Sequence, residues 1–406
     1  MNPLFLDGYG IKIKTRNLRL HSELVILSGR SGSEEVKEYS FRPRKFPFQS
    51  VLVDSTSGYI SFRALDWISR NSNAPIFFVD VKGGITCSVL PRRPVRPDLR
   101  LAQFVATSDR MRTLTIAKAI IQTKVERSLQ VLKWISERYD VSQELQRAQK
   151  EAAALPRART VSELRSTEAH VASAYWRTFK AVLPKCLDFQ SRLNETTHSY
   201  DASDPFNAAL NFGYAILESE CRKSVNAVGL EPGVGFVHPA ASYQIKEGFV
   251  FDVMEVFRWI IDLTALQAFE SRLLDIEDFF FSGDNYSYRF EVEAKRRFVE
   301  AIRRRFNSGI EYKGHHFRWD SLIGQKLIEF SRFLVGKSQE INFIEPSPIL
   351  ERDDSMDLRK RILSLTQHDA SKIGIGKSTL HYLRKNTNKT RFRIYEPVMT
   401  KLRAMA

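Results

Sequence analysis

The sequence predicts an α+β protein with a small β-rich N-terminal domain, an all-helical central domain and a C-terminal helix-turn-helix. Three observations support this layout. The first hundred residues carry short apolar runs broken by turn residues, which is typical of strands. Longer segments with apolar residues at helical spacing follow, and the C-terminal segment is strongly basic. We therefore predict domains at residues 1–100, 101–345 and 346–406, the last being a tether followed by the helix-turn-helix.

The N-terminal region contains five strand-like runs and one helical segment. The runs are Ile11–Lys14, Leu18–Leu20, Ser50–Asp54, Tyr59–Phe62 and Ala74–Val79. A helix is expected from Phe62 to Arg70, and a further strand from Ile85 to Leu90. The segment Pro91–Pro97 is rich in proline and arginine, so it predicts an extended linker at the end of the domain.

The central region predicts helices because apolar residues recur every three or four positions. The predicted helices are Arg112–Tyr139, Gln143–Leu155, Val161–Leu183, Asp204–Val228, Phe249–Leu274 and Arg289–Phe306. Asp204 and Pro205 form a strong start signal, since a carboxylate caps a helix and proline is favoured at its first position. The polar stretch Thr196–Ser203 predicts a loop.

Composition narrows the class of protein. There are 62 basic and 47 acidic side chains, a net charge of +15, so a polyanion is the expected partner. Cys87, Cys186 and Cys221 are far apart, which supports neither a disulfide framework nor a structural zinc site. The longest apolar run, Phe249–Leu266, carries charged side chains, so we expect no membrane association. No signal peptide is evident, and we expect a cytoplasmic, nucleoid-associated protein.

The segment Ser355–Ala406 has twelve basic and three acidic side chains, so it contributes +9 of the net charge of +15. Within it, Ala370, Gly374, Leu380 and Leu383 have the spacing of a helix-turn-helix, with a glycine in the turn and apolar anchors under the second helix. The residues that this second helix would present to DNA are Lys377, Ser378, Thr379, His381 and Arg384. A basic helical hairpin that packs on its own protein is the alternative.

A loop and a helix in the central region combine the residue types of a metal site. Gly229–His238 is a glycine-spaced loop that ends in a histidine, and Asp252 and Glu255 follow inside an apolar helical segment, three positions apart. Buried carboxylates are unfavourable unless they are paired or bind metal. The residues alone leave two interpretations open. One is a Mn²⁺ or Mg²⁺ site, and the other is an ion pair with Arg258 beside an ordinary hydrogen-bonded histidine.

Three stretches of the sequence carry a resemblance to a known family: Ser166–Phe179, Asn207–His238 and Asp252–Arg258. Together they resemble the CRISPR adaptation integrases and their transposon-encoded relatives, the casposases. The resemblance covers about residues 1–340, because that family also has a β-rich domain before a helical one. Ala169 and Trp259 stand where the family often has glycine and proline, and neither position supplies a ligand.

The resemblance implies a DNA integrase that joins donor 3′-OH ends to target DNA by transesterification, or cleaves DNA when water replaces the 3′-OH. It implies that Glu168, His238 and Glu255 are catalytic ligands of Mn²⁺ or Mg²⁺. Asp252 is then a catalytic-site acid that binds the metal or orients a ligand. Double-stranded DNA is the implied partner, as donor and as target. A homodimer or higher homo-oligomer is expected, formed through the N-terminal domain.

The basic C-terminal segment favours the casposase branch, since many CRISPR integrases end near the helical domain. The alternative is a CRISPR-associated integrase of spacer acquisition, which would act with a small partner adaptation protein. A third hypothesis, from a different class, is a non-catalytic helix-turn-helix regulator of DNA. It leaves the carboxylates and the histidine unexplained, and it predicts no product that depends on Mn²⁺.

Overall fold

The computed structural model describes residues 2–17, 23–30, 36–72, 74–80, 84–91, 96–193, 202–238, 247–282, 287–341, 343, 362, 365–372 and 374–386. The chain divides into two compact units. The first comprises Met1–Glu270 and Leu274–Pro346, and the second comprises Ser271–Leu273 and Ser347–Ala406. The β-rich region and the central helical region both lie in the first unit. Among the helices of the described residues, none has the length and apolar character needed to span a bilayer.

The described residues of the N-terminal region form eight strands and one helix. In chain order they are β1 (Pro3–Asp7), β2 (Tyr9–Asn17), β3 (Glu23–Arg30), β4 (Val36–Phe41), β5 (Ser50–Asp54), β6 (Gly58–Ile60), α1 (Phe62–Asn71), β7 (Ile76–Val79) and β8 (Ile85–Val89). One sheet has the order β1-β5-β7-β8 and is parallel except for its β7/β8 pair. The other has the order β4-β3-β2-β6, in which only β2 and β6 are parallel.

A single apolar cluster joins the two sheets and α1. It includes Val51 and Ile76 from the first sheet, Ile13 from β2, and Trp67 and Ile68 from α1. Helix α1 and strands β2, β5, β6, β7 and β8 overlap the predicted helix and strands, whereas β1, β3 and β4 were not predicted. The predicted strand at residues 18–20 lies outside the described residues.

The central region consists mainly of eight helices. They are α2 (Pro97–Ser108), α3 (Arg110–Ser136), α4 (Ser142–Ala152), α5 (Val161–Val182), α6 (Pro205–Val228), α7 (Gly248–Glu270), α8 (Val292–Asn307) and α9 (Trp319–Leu334). The start signal of α6 is confirmed: the Asp204 carboxylate accepts a hydrogen bond from the backbone N–H of Asn207 at 2.8 Å, and Pro205 is the first helical residue. The predicted loop at Thr196–Ser203 lies mostly outside the described residues.

The prediction of an all-helical central region is wrong, because two β-hairpins interrupt it. Strands β9 (Phe279–Ser282) and β10 (Ser287–Phe290) form the first hairpin, so the predicted start of a helix at Arg289 is also wrong. Strands β11 (Gly309–Tyr312) and β12 (His315–Arg318) form the second. Lys313 and Gly314 both have positive φ, at 51° and 74°, which is the geometry of a tight two-residue hairpin turn. Such short strands carry too few residues for periodicity to reveal them.

Helix α2 was not predicted either, and it begins at Pro97, the last residue of the predicted linker. Helices α6 and α7 pack along each other at the centre of the unit and are buried over most of their length. Helix α3 packs against both α5 and α7. The N-terminal sheets attach to this core through the rings of Phe5 and Phe212, 5.6 Å apart, and an ion pair of Asp7 with Arg296 at 3.0 Å.

Two short helices are described in the second unit, α10 (Gln367–Lys372) and α11 (Lys377–Asn386). Gly374 lies in the turn between them with φ at +68°, a conformation that glycine adopts without strain. The predicted apolar anchors Ala370, Leu380 and Leu383 are buried. The arrangement agrees with the predicted spacing, and its role in DNA binding stays a prediction.

Candidate active site

The three predicted metal ligands are far apart in sequence, yet they line one cavity of about 1370 Å³. Glu168 lies on α5, Glu255 lies on α7, and His238 ends the loop that follows α6. Lys124 from α3 and Arg258 from α7 line the same cavity. The structure therefore brings the predicted ligands to a common space together with two cations.

Asp252 holds the histidine loop in place. Its carboxylate is fully buried and accepts hydrogen bonds from the backbone N–H groups of Phe236 at 2.5 Å, Val237 at 3.1 Å and His238 at 3.0 Å. These donors satisfy a charge that would otherwise be unfavourable to bury. With no exposed surface, Asp252 acts on the site through the loop. Asp252 was predicted either to bind the metal or to orient a metal ligand, and this geometry favours the second role.

The same carboxylate fixes the imidazole of His238. The ring Nδ1 lies 2.8 Å from Oδ1 of Asp252. Because a carboxylate only accepts hydrogen bonds, Nδ1 carries the proton and Nε2 keeps its lone pair. The His238 side chain is 38% exposed and lines the cavity. This pairing of carboxylate and histidine is typical of metal-binding imidazoles.

Two glycines let the histidine loop approach the start of α7. A Cβ atom at Gly235 would lie 2.4 Å from the carbonyl oxygen of His238, and one at Gly248 would lie 2.1 Å from the same atom. A larger residue at either position would push the loop away from Asp252. The buried side chain of Gln103 on α2 binds the loop from another direction, with hydrogen bonds to the carbonyl groups of Glu231 and Val234. Of the glycines in the loop, Gly235 is required by this close packing, whereas a Cβ atom at Gly233 would have no atom within 4 Å.

Glu168 and Glu255 converge on a single cation. The Nζ atom of Lys124 lies 2.6 Å from Oε1 of Glu168 and 2.6 Å from Oε2 of Glu255. The other oxygen of Glu255 pairs with Nε of Arg258 at 3.1 Å. Burial by itself would raise the pKa of Glu255, but Arg258 and Lys124 outweigh it and lower the pKa to about 2. Glu255 is therefore ionised at neutral pH, as a metal ligand must be.

This donor set fits a divalent cation in its chemistry. Two carboxylates and the free Nε2 of His238 are ligands that Mn²⁺ and Mg²⁺ accept. Among the described residues, however, no three His, Cys, Asp or Glu side chains lie close enough together to hold an ion as they stand. In this structure the ammonium group of Lys124 contacts one oxygen of Glu168 and one oxygen of Glu255.

A buried polar cluster forms the wall of the cavity beside Arg258. Asp262 accepts hydrogen bonds from the hydroxyl groups of Tyr175 at 2.9 Å and Tyr214 at 2.5 Å. Burial raises the pKa of Asp262 to about 6, although the two tyrosine hydroxyls oppose the shift. The guanidinium of Arg258 lies 4.9 Å from the centre of the Tyr214 ring, so the cluster also positions this cation.

The remaining lining of the cavity is rich in basic side chains. Besides Lys124 and Arg258, it includes Arg127, Arg165, Arg177, Lys180 and Arg192. A concave surface with this charge attracts polyanions and concentrates phosphate groups near the carboxylates. Two of these side chains, Arg127 and Arg192, are buried and donate hydrogen bonds inside the protein, so the accessible positive charge comes from the others.

Three side chains of the site were missed by the sequence analysis: Lys124, Tyr214 and Asp262. Lys124 follows the buried Ile120 by four residues, so it places a charge on the buried face of α3. Asp262 follows Glu255 by seven residues and shares its face of α7. In both helices, a charged residue on the apolar face could therefore have indicated a buried functional side chain. Tyr214 gave no such indication, because tyrosine is common in helical cores.

Four of the five predicted DNA-contacting residues of α11 are exposed, namely Lys377, Ser378, His381 and Arg384. The fifth, Thr379, is partly buried. The guanidinium of Arg384, however, donates hydrogen bonds to the carbonyl groups of residues 362 and 365. The charge of Arg384 is therefore engaged within the C-terminal unit.

Comparison with known proteins gives a consistent result. The family model for CRISPR associated protein Cas1 matches residues 37–304. CRISPR-associated endonuclease Cas1 1 of Archaeoglobus fulgidus is 26% identical over 84% of this chain and 99% of that protein. Cas1 2 of Pyrobaculum aerophilum is 30% identical over 66% of this chain and 82% of that protein. Cas1 1 of Saccharolobus solfataricus is 38% identical over a shorter match, 37% of this chain and 42% of that protein.

Solved structures agree with the sequence comparisons. A casposase bound to an integration product superimposes with a TM-score of 0.79 and 29% identity, covering 90% of this chain and 99% of that chain. A Cas1 protein from Thermotoga maritima superimposes with a TM-score of 0.63 over 82% of this chain and 97% of that chain. At 18% identity, the second comparison shows a shared fold alone.

Proposed function

The chain belongs to the Cas1 family, and on that premise we propose that it is a metal-dependent DNA integrase that joins donor 3′-OH ends to target DNA. As a member of this family of integrase-like nucleases, it is an enzyme. The observation that carries the proposal is the meeting of Glu168 and Glu255 at one cation position. The fixed imidazole of His238 and a basic cavity lining lie beside them.

In the proposed reaction, Glu168, Glu255 and His238 are the residues that would hold Mn²⁺ or Mg²⁺, and the ion would supply positive charge to the scissile phosphate. Asp252 keeps the proton of His238 on Nδ1, so Nε2 retains its lone pair. Arg258 attracts the developing charge on the phosphate oxygens, while the other accessible basic side chains hold the DNA backbone. The donor 3′-OH attacks phosphorus, a new phosphodiester forms, and the displaced target oxygen takes up a proton. Water in place of the 3′-OH gives strand cleavage.

Two biological contexts are compatible with this chemistry. The likeness to a casposase over nearly all of that chain, together with a basic C-terminal unit, supports casposon transposition with the tail as reader of the transposon ends. The curated relatives are named CRISPR-associated endonucleases, and this supports an integrase of spacer acquisition with a small partner adaptation protein equally well. Joining of transposon-end duplexes without any partner protein favours the first context. Dependence on a repeat array and a partner favours the second.

The division of labour that we propose follows the predicted domains. Residues 1–100 form the dimerisation domain, residues 101–345 carry catalysis, and residues 346–406 bind double-stranded DNA through Lys377, Ser378, Thr379 and His381. Donor DNA has two ends, so a homodimer or a higher homo-oligomer is the proposed active form.

Strand joining in Mn²⁺ tests the proposed site. Glu168→Gln, Glu255→Gln and His238→Ala should each lower the joining rate by at least about a thousandfold, because each removes a ligand that stabilises transition-state charge. DNA affinity should change by less than about threefold, because phosphate contacts dominate binding. The assay is joining of a labelled duplex to a supercoiled plasmid, with fluorescence anisotropy for affinity.

Glu137→Gln makes the same chemical change at an exposed position beyond the end of α3 and should leave both measurements unchanged. Full joining activity in any of the three ligand variants would remove that residue from the site. A wild-type protein that binds DNA but gives no product with Mn²⁺ or Mg²⁺ would instead support the regulator hypothesis.

A further inference from the structure

Lys124 has a position that the proposed chemistry does not explain. It lies in the middle of α3, a helix of 27 residues, and its neighbours Thr123 and Val125 are buried, so its backbone is held firmly. Its ammonium group reaches between α5 and α7 and contacts one carboxylate on each, both at 2.6 Å. A single lysine therefore joins the two acidic residues to which we assign the metal.

The local charges explain why the lysine is there. Glu255 is 6% exposed and Glu168 is 17% exposed, so two carboxylates meet where water screens them little. Without a cation between them they would repel each other. The ammonium group of Lys124 contacts both carboxylates, so it supplies the cation between them. With Arg258 beside Glu255, the set has two negative and two positive groups.

A divalent ion and this ammonium cannot both lie between the carboxylates. The ion needs the oxygen atoms that Lys124 contacts, and its two positive charges would repel the lysine at such short distance. Lysine has a flexible stem, and the side chain of Lys124 already lines the large cavity, so it has space into which to move.

We propose that Lys124 is an internal competitor of the divalent ion: it balances Glu168 and Glu255 in the metal-free enzyme and leaves them when the ion binds. The proposal rests on the proposed function only in taking these two residues as ligands. It makes metal binding an exchange of cations. The lysine stabilises the empty site and lowers its affinity for the ion.

Metal affinity tests the exchange without any measurement of DNA joining. In isothermal titration calorimetry with Mn²⁺ and no DNA, Lys124→Met should bind the ion at least about tenfold more tightly than the wild type, because nothing has to be displaced. Lys124→Arg keeps a cation that is always charged and should stay within about threefold of the wild type. Lys133→Met, an exposed position on the same helix, is the matched control and should bind like the wild type.

Thermal unfolding gives an independent readout. Metal-free Lys124→Met should melt at a lower temperature than the wild type, because it leaves two carboxylates unbalanced. Saturating Mn²⁺ should raise its melting temperature by more than it raises that of the wild type. If Lys124→Met does not fold, Lys124→Gln removes the charge while keeping a hydrogen-bond donor, and the same expectations apply.

The wild-type protein can also be tested directly by labelling of lysines with an acetylating reagent and mass spectrometry. Mn²⁺ should increase the labelling of Lys124 several-fold and leave that of Lys133 unchanged. Unchanged labelling, or Mn²⁺ binding in Lys124→Met no tighter than in the wild type, overturns the proposal. If either result were found while Glu255→Gln lost Mn²⁺ binding, the metal site would stand and only the competition between Lys124 and the ion would be wrong. If neither wild type nor Lys124→Met binds Mn²⁺, the metal site itself is wrong.

Discussion

At Asp252, one carboxylate accepts four hydrogen bonds, three from backbone N–H groups and one from the ring of His238. The backbone of the loop and the orientation of a proposed ligand therefore depend on the same two oxygen atoms. Glu255, only three residues later, faces different helices and contacts cations instead. Structural and chemical roles are thus divided between two acids on adjacent turns of α7.

Asp252→Asn should lower the free energy of unfolding by about 2–4 kcal/mol, because an amide has one accepting atom and leaves buried N–H groups without a partner. Strand joining should fall as well, since His238 loses its orientation. Urea denaturation measures the first effect and the plasmid assay the second. Glu168→Gln is the comparison: it should abolish joining while changing stability by no more than about 1 kcal/mol. Equal stability of Asp252→Asn and the wild type would contradict this account.

Asp262 should make stability depend on pH in the direction opposite to that of an ordinary paired carboxylate. Its pKa of about 6 in the folded protein lies above the ordinary value of 3.8, so the folded state holds a proton that the unfolded state releases. Its contribution to the free energy of unfolding therefore rises as pH falls through about 6. The wild type should gain stability relative to Asp262→Asn between about pH 7.5 and about pH 5. Parallel pH profiles in urea denaturation would contradict the prediction.

The sequence predicted that Asp252 and Glu255 share a helical face, and it could not separate their roles. Residues three apart differ by about 60° around the helix axis, and that rotation is enough to direct one to the loop and the other to α3 and α5. Glu168 was identified only through the family resemblance, since a glutamate on a half-exposed helix has no distinguishing pattern. Lys124 could have been recognised as a charge on the apolar face of α3. Its partners could not, because they lie on other helices.

At the scale of elements, the long helices were predicted well because each has an apolar period, and α6 also has a start signal. Asp204 with Pro205 fixed the start of α6, and α5 was predicted within one residue at its end. The two hairpins were missed because four-residue strands depend on contacts with distant residues. Phe279 and Phe290, for example, pair across the first hairpin with their rings 4.4 Å apart.

Gly213 shows how the packing of two elements depends on one position. A Cβ atom there would lie 2.4 Å from Cγ2 of Ile261, where α6 crosses α7. Gly213→Ala should therefore destabilise the protein by about 1–3 kcal/mol despite the better helix propensity of alanine. Gly324 on α9 has no atom within 4 Å of such a Cβ, so Gly324→Ala should stabilise by about 0.5–1 kcal/mol. Chemical denaturation of both variants measures the change in the free energy of unfolding, which should be opposite in sign. A stabilising effect of Gly213→Ala would contradict the close packing of α6 on α7.

At the scale of the whole molecule, the proposed chemistry and the proposed reading of DNA belong to different units. The ligands Glu168, His238 and Glu255 all lie in the first unit, and α10 and α11 lie in the second. The segment Ser355–Ala406 carries +9 of the net +15, so it should supply much of the electrostatic affinity for DNA. Removal of this segment should therefore separate affinity from catalysis.

Single substitutions in α11 should distinguish a side chain that contacts a DNA base from one that holds the C-terminal unit together. Lys377→Ala should cost about 1–3 kcal/mol on cognate ends and less on scrambled ends, if the side chain reads a base edge. Arg384→Ala removes hydrogen bonds to the carbonyl groups of residues 362 and 365, so it should weaken binding to both DNA sequences equally. Anisotropy titrations measure the affinity of each variant for the cognate and for the scrambled duplex. If Arg384→Ala weakened binding to one duplex more than to the other, the structural role of Arg384 would be contradicted.

Deletion of Ser355–Ala406 should reduce binding to cognate ends strongly while non-specific joining in Mn²⁺ persists. The ligands remain, whereas the helix pair and most of the excess positive charge are lost. The dependence of affinity on salt should flatten by roughly one unit of slope for each phosphate contact removed. Anisotropy over a salt series and the plasmid assay measure the two effects on the same preparation, with Lys377→Ala in the full chain as the control for a single lost contact. A truncated protein that binds and joins cognate ends as well as the intact chain would make the tail a packing or assembly element, and the casposase interpretation would lose one of its two supports.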